Sequence, residues 1–170
     1  ARVLNQEEAG GRVVDSISMY KAQLNDPMRP IAVMFFVGPT GVGKTELAKA
    51  IAEYLFGSAR RLIRLDMSEF STADTLERLA GGQQWIEGGE VREGLLTGPV
   101  RQQPFSVVLL DEFEKAHPRV YDMMLQVFSE GRLTDARGET TDFRNTLFVL
   151  TSNLGSQKIT GGLIGFSKAR

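Results

Sequence analysis

Gly38-Pro39-Thr40-Gly41-Val42-Gly43-Lys44-Thr45 fills the pattern G-x-x-x-x-G-K-[ST] at every position. It lies between a continuous apolar run, residues 31–37 (IAVMFFV), and a helical pattern, residues 45–56 (TELAKAIAEYLF). In the second segment Leu47, Ile51 and Leu55 recur at i, i+4 and i+8, and Gly57 follows as a stop signal. Gly38, Gly41 and Gly43 allow a tight turn that brings backbone N–H groups against phosphate oxygens. The positive end of the helix dipole points at the same anion. Lys44 then supplies a point charge for the β- and γ-phosphates, and the Thr45 hydroxyl is placed to ligate Mg²⁺. The bland alternative, a glycine-rich turn that binds nothing, accounts poorly for a full match with both flanks in place.

Working outward, three further apolar runs read as buried strands because they are continuous rather than alternating: residues 62–65, 106–110 and 147–151. Between the last two, residues 118–130 form a second helical pattern. It has Pro118 at its start, Val120, Met124 and Val127 on one face, and Gly131 behind. Met123, Met124 and Phe128 are read as core. A third helical pattern spans residues 6–24, with Val13, Ile17 and Tyr20 on one face despite Gly10-Gly11. Strands alternating with helices predict one α/β domain, a parallel sheet packed between helices. Residues 81–93 (GGQQWIEGGEVRE) are polar and glycine-rich and read as a mobile loop. Residues 131–146 read as a β-hairpin, Leu133 and Phe143 flanking a turn at 135–138.

The run 107–112 (VVLLDE) is a buried strand ending in two carboxylates. A parallel sheet sets the carboxyl ends of its strands side by side, so Asp111 should face Mg²⁺ and Thr45. Glu112 can point the other way, toward a water attacking the γ-phosphate. Two adjacent acids with separate tasks suit nucleotide hydrolysis better than transfer to a small acceptor. Asn153, in the TSN that follows the last strand, can hold that water or the γ-phosphate, although an Asn there also serves as a turn or cap.

Composition removes other classes. With 20 basic and 21 acidic side chains the net charge is −1, which gives no footprint for nucleic acid or an anionic membrane surface. The apolar run at 31–37 is far short of a span of about 20 residues, so no membrane partner is expected. The absence of Cys excludes disulfides, thiolate metal sites and a Cys nucleophile, and fits a cytoplasmic location. His117, the single His, cannot build a metal site and is read as a structural or capping residue.

Together these stretches resemble the AAA+ ATPases, and among them the C-terminal AAA+ module of the Clp-type unfoldases and disaggregases. The resemblance is carried by GPTGVGKTELAKAIAEYLFG (38–57), RLDMSEF (64–70), VVLLDEFEKAHPRVYDMMLQVFSEGRLTD (107–135) and DFRNTLFVLTSNLG (142–155). It implies Walker A at Gly38, Pro39, Thr40, Gly41, Val42, Gly43, Lys44 and Thr45, with Glu46 beside them, and Walker B at Asp111 and Glu112. Glu112 would be the catalytic base and Asn153 the sensor of the γ-phosphate, with Lys44 completing the catalytic set. Val3 and Leu4 would contact the adenine, ordinary core packing being the alternative. The implied cofactors are ATP and Mg²⁺. The implied setting is a homo-oligomeric ring, a hexamer, which threads a polypeptide substrate through a channel faced by the 131–146 hairpin, with a protease or adaptor as a further partner.

The resemblance also implies that residues 1–170 are the large α/β nucleotide-binding subdomain, with the C-terminal helical lid, the arginine finger and the sensor arginine lying beyond Arg170. This stretch alone should therefore bind nucleotide yet hydrolyse it slowly. Arg137 and Arg144 do not match the finger's motif and are read as hairpin surface charges or intersubunit contacts. Two departures stand out. The pore-loop region reads QQWIEGG (83–89) in place of a Gly-Tyr-Val-Gly core, so Trp85 either grips the polypeptide or packs under its own loop. Gly98-Pro99 falls in a segment, 91–103, that is helical in relatives, and predicts a break or kink before Pro99. A nucleotide-dependent scaffold without peptide threading is the alternative function.

Overall fold

The computed structural model describes residues 14–15, 18, 22, 26–38, 43–87 and 90–153. The expected helix at 6–24 and the expected adenine contacts Val3 and Leu4 lie largely or wholly outside these residues. The elements follow in the order β1 (Ala32–Val37), α1 (Lys44–Phe56), β2 (Leu62–Asp66), α2 (Thr75–Ala80), β3 (Gly81–Glu87) and β4 (Glu90–Glu93). Then come α3 (Thr97–Gln102), β5 (Ser106–Asp111), α4 (Pro118–Glu130), β6 (Arg132–Thr134), β7 (Thr140–Asp142) and β8 (Thr146–Ser152). Four strands form one parallel sheet in the order β1-β8-β5-β2, as the strand–helix alternation predicts.

The continuous apolar runs are explained by burial on both faces of the sheet. Val107, Leu109, Leu147 and Val149 point to one side, where α1 packs Leu47, Ala48, Ile51 and Ala52 against them. Val108, Leu110, Phe148 and Leu150 point to the other, against Val120, Met124 and Val127 of α4 together with Leu79, Leu96 and Val100. Met123 and Phe128 pack against this second cluster, as expected of core residues. Of the four strands, β8 is buried throughout and β5 up to Asp111 at its end. On the edge strand β1, Met34 and Phe36 are buried beneath α1 while Val33 and Phe35 are 43% and 42% exposed. No helix of the described residues is long and apolar enough to cross a membrane.

Both long helices end where the glycines predict. Gly57 closes α1 with φ 76° and Gly131 closes α4 with φ 63°, each amide donating back into its helix. Gly131 has a second reason to lack a side chain: a Cβ there would sit 2.5 Å from the Met28 carbonyl oxygen. At the start of α4, His117 accepts a hydrogen bond from the Arg119 amide at 3.2 Å and Pro118 opens the first turn, which gives the lone His its capping role.

Two segments differ from expectation. Residues 81–93 form an antiparallel ribbon, β3–β4, rather than a loop, with Ile86 opposite Val91 and an irregular register nearer Gly81. Backbone pairing decides this, and Trp85, Ile86 and Val91 are of the shapes strands favour. The expected break near Pro99 falls between β4 and α3. Helix α3 begins only at Thr97: the Gly98 amide donates to the Gly94 carbonyl at 2.8 Å and the Val100 amide to the Leu96 carbonyl at 3.4 Å, and Pro99, which has no N–H, omits the bond between them.

The hairpin forms as expected. Thr134 pairs with Thr140 and Arg132 with Asp142 across a turn in which the Gly138 amide donates to the Asp135 carbonyl at 3.0 Å. The Asp135 carboxylate, its side chain fully buried, accepts from the backbone amides of Arg137 and Glu139, both at 2.9 Å, and from the Arg137 guanidinium. Burial alone would raise its pKa, but these hydrogen bonds and the Arg137 charge hold it below the ordinary carboxylate value. Its stabilising contribution is therefore complete above the unfolded value near 3.9 and is lost as pH falls through the lower folded value. Asp135→Asn should cost about 2 kcal/mol at neutral pH. Thermal unfolding should show that deficit at pH 7 and its disappearance at strongly acid pH. Arg144 likewise pairs locally, with Asp142 at 2.6 Å, consistent with a hairpin surface charge.

Candidate functional site

Strand β1 runs into the glycine motif, and α1 leaves it. The Gly38 amide extends the β1–β8 ladder by donating to the Ser152 carbonyl at 3.1 Å. Pro39, Thr40, Gly41 and Val42 lie outside the described residues. Gly43 re-enters at φ 85°, a left-handed conformation that suits glycine, and accepts the first helical bond from Leu47 at 2.9 Å. Lys44 is the first residue of α1, and its side chain reaches back to Gly38. Its ammonium donates to the Gly38 carbonyl at 2.9 Å and to Asn153 Oδ1 at 2.9 Å, with the Ser152 carbonyl at 3.4 Å. Three acceptors from the carboxyl ends of β1 and β8 thus fix the ammonium.

The two acids diverge as expected, because the backbone changes course between them. Asp111 is the last residue of β5, and its Oδ1 accepts from the Thr151 hydroxyl at 2.5 Å while Oδ2 accepts from Arg64 on β2 at 2.8 Å. Glu112 adopts φ 52° and ψ 47°, the one non-glycine among the described residues at positive φ. Such a conformation costs roughly 1–2 kcal/mol for an L-residue and is characteristic of functional sites. It turns the Glu112 carboxylate off the strand. Oε1 accepts from Asn153 Nδ2 at 3.1 Å, and Oε2 accepts from the Lys115 ammonium at 2.5 Å. The hydrogen bond to Glu112 and then its charge raise the Lys115 ammonium above its usual pKa, with Glu114 and Asp66 adding to the effect.

Asn153 is therefore the junction of the cluster rather than a simple cap. Its amide oxygen meets Lys44, its amide nitrogen meets Glu112, and its backbone N–H donates to Glu114 Oε1 at 2.9 Å. Lys44, Asn153 and Glu112 come together as the sequence predicts. Glu46 does not join them: it is exposed and pairs with Lys49 one turn along α1 at 2.7 Å. Sequence reasoning missed Thr151, Arg64, Glu114 and Lys115. Only Lys115 carried a usable signal, its three-residue spacing from Glu112 in DEFEK.

The described residues contain no group of three or more His, Cys, Asp or Glu arranged to hold a metal ion. Mg²⁺ keeps several waters and takes one or two protein oxygens plus phosphates. The hydroxyl of Thr45 and the carboxylate of Asp111 are hard oxygen donors of the kind it accepts. Lys44 and the amino end of α1 could hold an anionic phosphate chain, and Glu112 with Asn153 could orient a water.

A parallel sheet with helices on both faces, a glycine motif in the sequence after its first strand and a lysine at the next helix define an α/β fold of the P-loop NTPase type. Residues 29–164 match the AAA domain (Cdc48 subfamily), and the chain belongs to that family. Among curated relatives, a chaperone protein ClpB of Aquifex aeolicus is 56% identical over 92% of this chain and 15% of its own length. A chaperone protein ClpB 1 of Synechococcus elongatus is 53% identical over 93% of this chain and 18% of its own. A probable chaperone protein ClpB 1 of Chlorobaculum tepidum is 51% identical over 93% of this chain and 36% of its own. The chain thus spans well under half the length of these relatives. The Clp-type resemblance read from the motifs is borne out.

Proposed function

We propose that the chain binds ATP with Mg²⁺ and hydrolyses it, as the large α/β subdomain of a Clp-type AAA+ module. In the full-length protein a homo-oligomeric ring, a hexamer, would couple hydrolysis to remodelling of polypeptide substrates, with a helical lid and arginine finger supplied from outside this stretch. The observation that carries the reading is the chain of contacts Lys44–Asn153–Glu112 at the carboxyl ends of β1, β8 and β5. Bound Mg²⁺ supplies charge neutralisation on the phosphate oxygens, held by Thr45 and Asp111. Lys44 holds the phosphate end of the nucleotide. Asn153 orients the attacking water, and Glu112 takes its proton. Lys115 anchors Oε2 of Glu112, and Oε1, which meets Asn153 Nδ2, keeps a second lone pair for that water. The relatives named as chaperones support the polypeptide substrate.

Asn153→Ala in the full-length protein should lower ATP turnover by about 10²-fold, while nucleotide affinity changes far less. Steady-state turnover and equilibrium nucleotide titration read the two effects separately. Unchanged turnover overturns the reading.

A second reading, a nucleotide-dependent scaffold without threading, is favoured by one observation. The β3–β4 ribbon carries Trp85 where the resemblance leads one to expect a Gly-Tyr-Val-Gly loop. Trp85→Ala should abolish unfolding of a tagged substrate and leave ATP turnover within about twofold, as expected of an aromatic that only grips. A protein that unfolds no tagged substrate, and whose partner binding the substitution leaves untouched, would favour the scaffold.

A further inference from the structure

Thr151 stands in the most enclosed strand of the sheet, where all seven residues of β8 are buried and its neighbours Val149 and Leu150 are apolar. It is itself fully buried. A hydroxyl in such a place is costly unless both its donor and its acceptor capacity are used. Both are. Oγ1 donates to Asp111 Oδ1 at 2.5 Å and accepts from the Glu112 backbone N–H at 3.1 Å. The direction of each bond is dictated by its partner, because an ionised carboxylate can only accept and an amide can only donate.

We propose that Thr151 is the positioning residue that sets Asp111 and Glu112 on their divergent courses for the reaction. This rests on the ATP-hydrolysis reading given above. Its acceptor role satisfies the one amide that leaves the β5 ladder as the chain enters the left-handed turn at Glu112, and so holds the turn that aims the Glu112 carboxylate at Asn153 and Lys115. Its donor role fixes Oδ1 of Asp111, leaving Oδ2 toward Arg64. A single hydroxyl on the strand that leads into Asn153 therefore registers Asp111 and Glu112 against each other. Valine has the same shape and supplies neither bond. It would leave the part-buried Glu112 N–H without its partner and Asp111 held by Arg64 alone.

The test compares Thr151→Val and Thr151→Ser in the full-length protein. Thr151→Val should lower kcat by roughly 30- to 100-fold with KM for ATP changed by less than about threefold. The gain in nucleotide affinity on adding Mg²⁺, measured by equilibrium titration without turnover, should shrink by about tenfold. Thr151→Ser, which restores the hydroxyl, should return both quantities to within about threefold of the parent protein. In the unsubstituted protein the Glu112 amide should exchange slowly with deuterium, a readout that stands even where the valine variant does not fold. Parent-like kcat and Mg²⁺ gain in Thr151→Val, a serine variant as impaired as the valine one, or rapid exchange at Glu112 would each overturn the proposal. If Glu112→Gln keeps full turnover, the base role of Glu112 has failed; if the parent protein itself turns over no ATP, the hydrolysis reading has failed, and in either case the Mg²⁺ gain still tests the Thr151–Asp111 bond by itself.

Discussion

Lys44→Ala in the full-length protein is expected to weaken ATP binding by roughly 10- to 100-fold, the equivalent of one charge-assisted hydrogen bond of about 1.5–3 kcal/mol. Turnover at saturating ATP should fall further, by about 10²–10³, because charge developing on the phosphate oxygens meets a fixed cation only when Lys44 is present. Two opposing effects decide how cleanly this can be read. Removing the ammonium leaves the Gly38 carbonyl and Asn153 Oδ1 without their 2.9 Å donor. That costs about 1 kcal/mol per lost bond, small against the apolar core beneath α1. The variant should therefore fold with a modestly lower melting midpoint and fail in binding. Lys44→Arg should not rescue it, since a planar guanidinium cannot enter the space that a compact ammonium fills between those acceptors. Nucleotide titration beside thermal unfolding checks both statements. A Lys44→Ala protein that binds ATP normally would remove Lys44 from the site.

The four sheet strands were legible in the sequence for a physical reason. Val107 and Leu109 face α1 while Val108 and Leu110 face α4, so burial on both sides leaves no room for polar alternation. The same reasoning overreached at β1, whose Val33 and Phe35 are exposed on one face. Helix α2 (Thr75–Ala80) is under two turns long, too short for any periodicity to emerge. The β3–β4 ribbon hid behind glutamines and glycines, although Gly88-Gly89 between two short runs was a hairpin signal in its own right.

At the site, the motif residues could be named because phosphate chemistry demands particular side chains at particular spacings. Their supports could not be. Thr151 and Asp111 meet only because β8 inserts between β1 and β5, and nothing in a single sequence states that order. The left-handed turn at Glu112 is equally invisible, because a glutamate there carries no local signal for positive φ.

Glu112→Gln in the full-length protein should nearly abolish ATP turnover, by about 10²–10⁴-fold, the usual worth of a positioned general base. Binding should be retained or slightly tighter, since one negative charge beside the phosphate chain is gone. Glutamine keeps the length and the left-handed backbone of the original residue, and its amide oxygen can still accept from Asn153 Nδ2. What it loses is the ability to take a proton and the partner of Lys115, whose ammonium sits 2.5 Å from Glu112 Oε2. Because the Lys115 side chain is half exposed, water replaces that partner and the fold should lose little. Glu112 raises the Lys115 pKa in the folded protein, so the pair's contribution is present below the unfolded lysine value near 10.4 and fades as pH rises through the higher folded one. Melting curves of Glu112→Gln and the parent should therefore differ most at neutral pH and converge at strongly alkaline pH. Single-turnover kinetics with titrated nucleotide separates the two functions of Glu112. Retained turnover would leave Asn153 and Lys115 gripping a carboxylate that has no part in the chemistry.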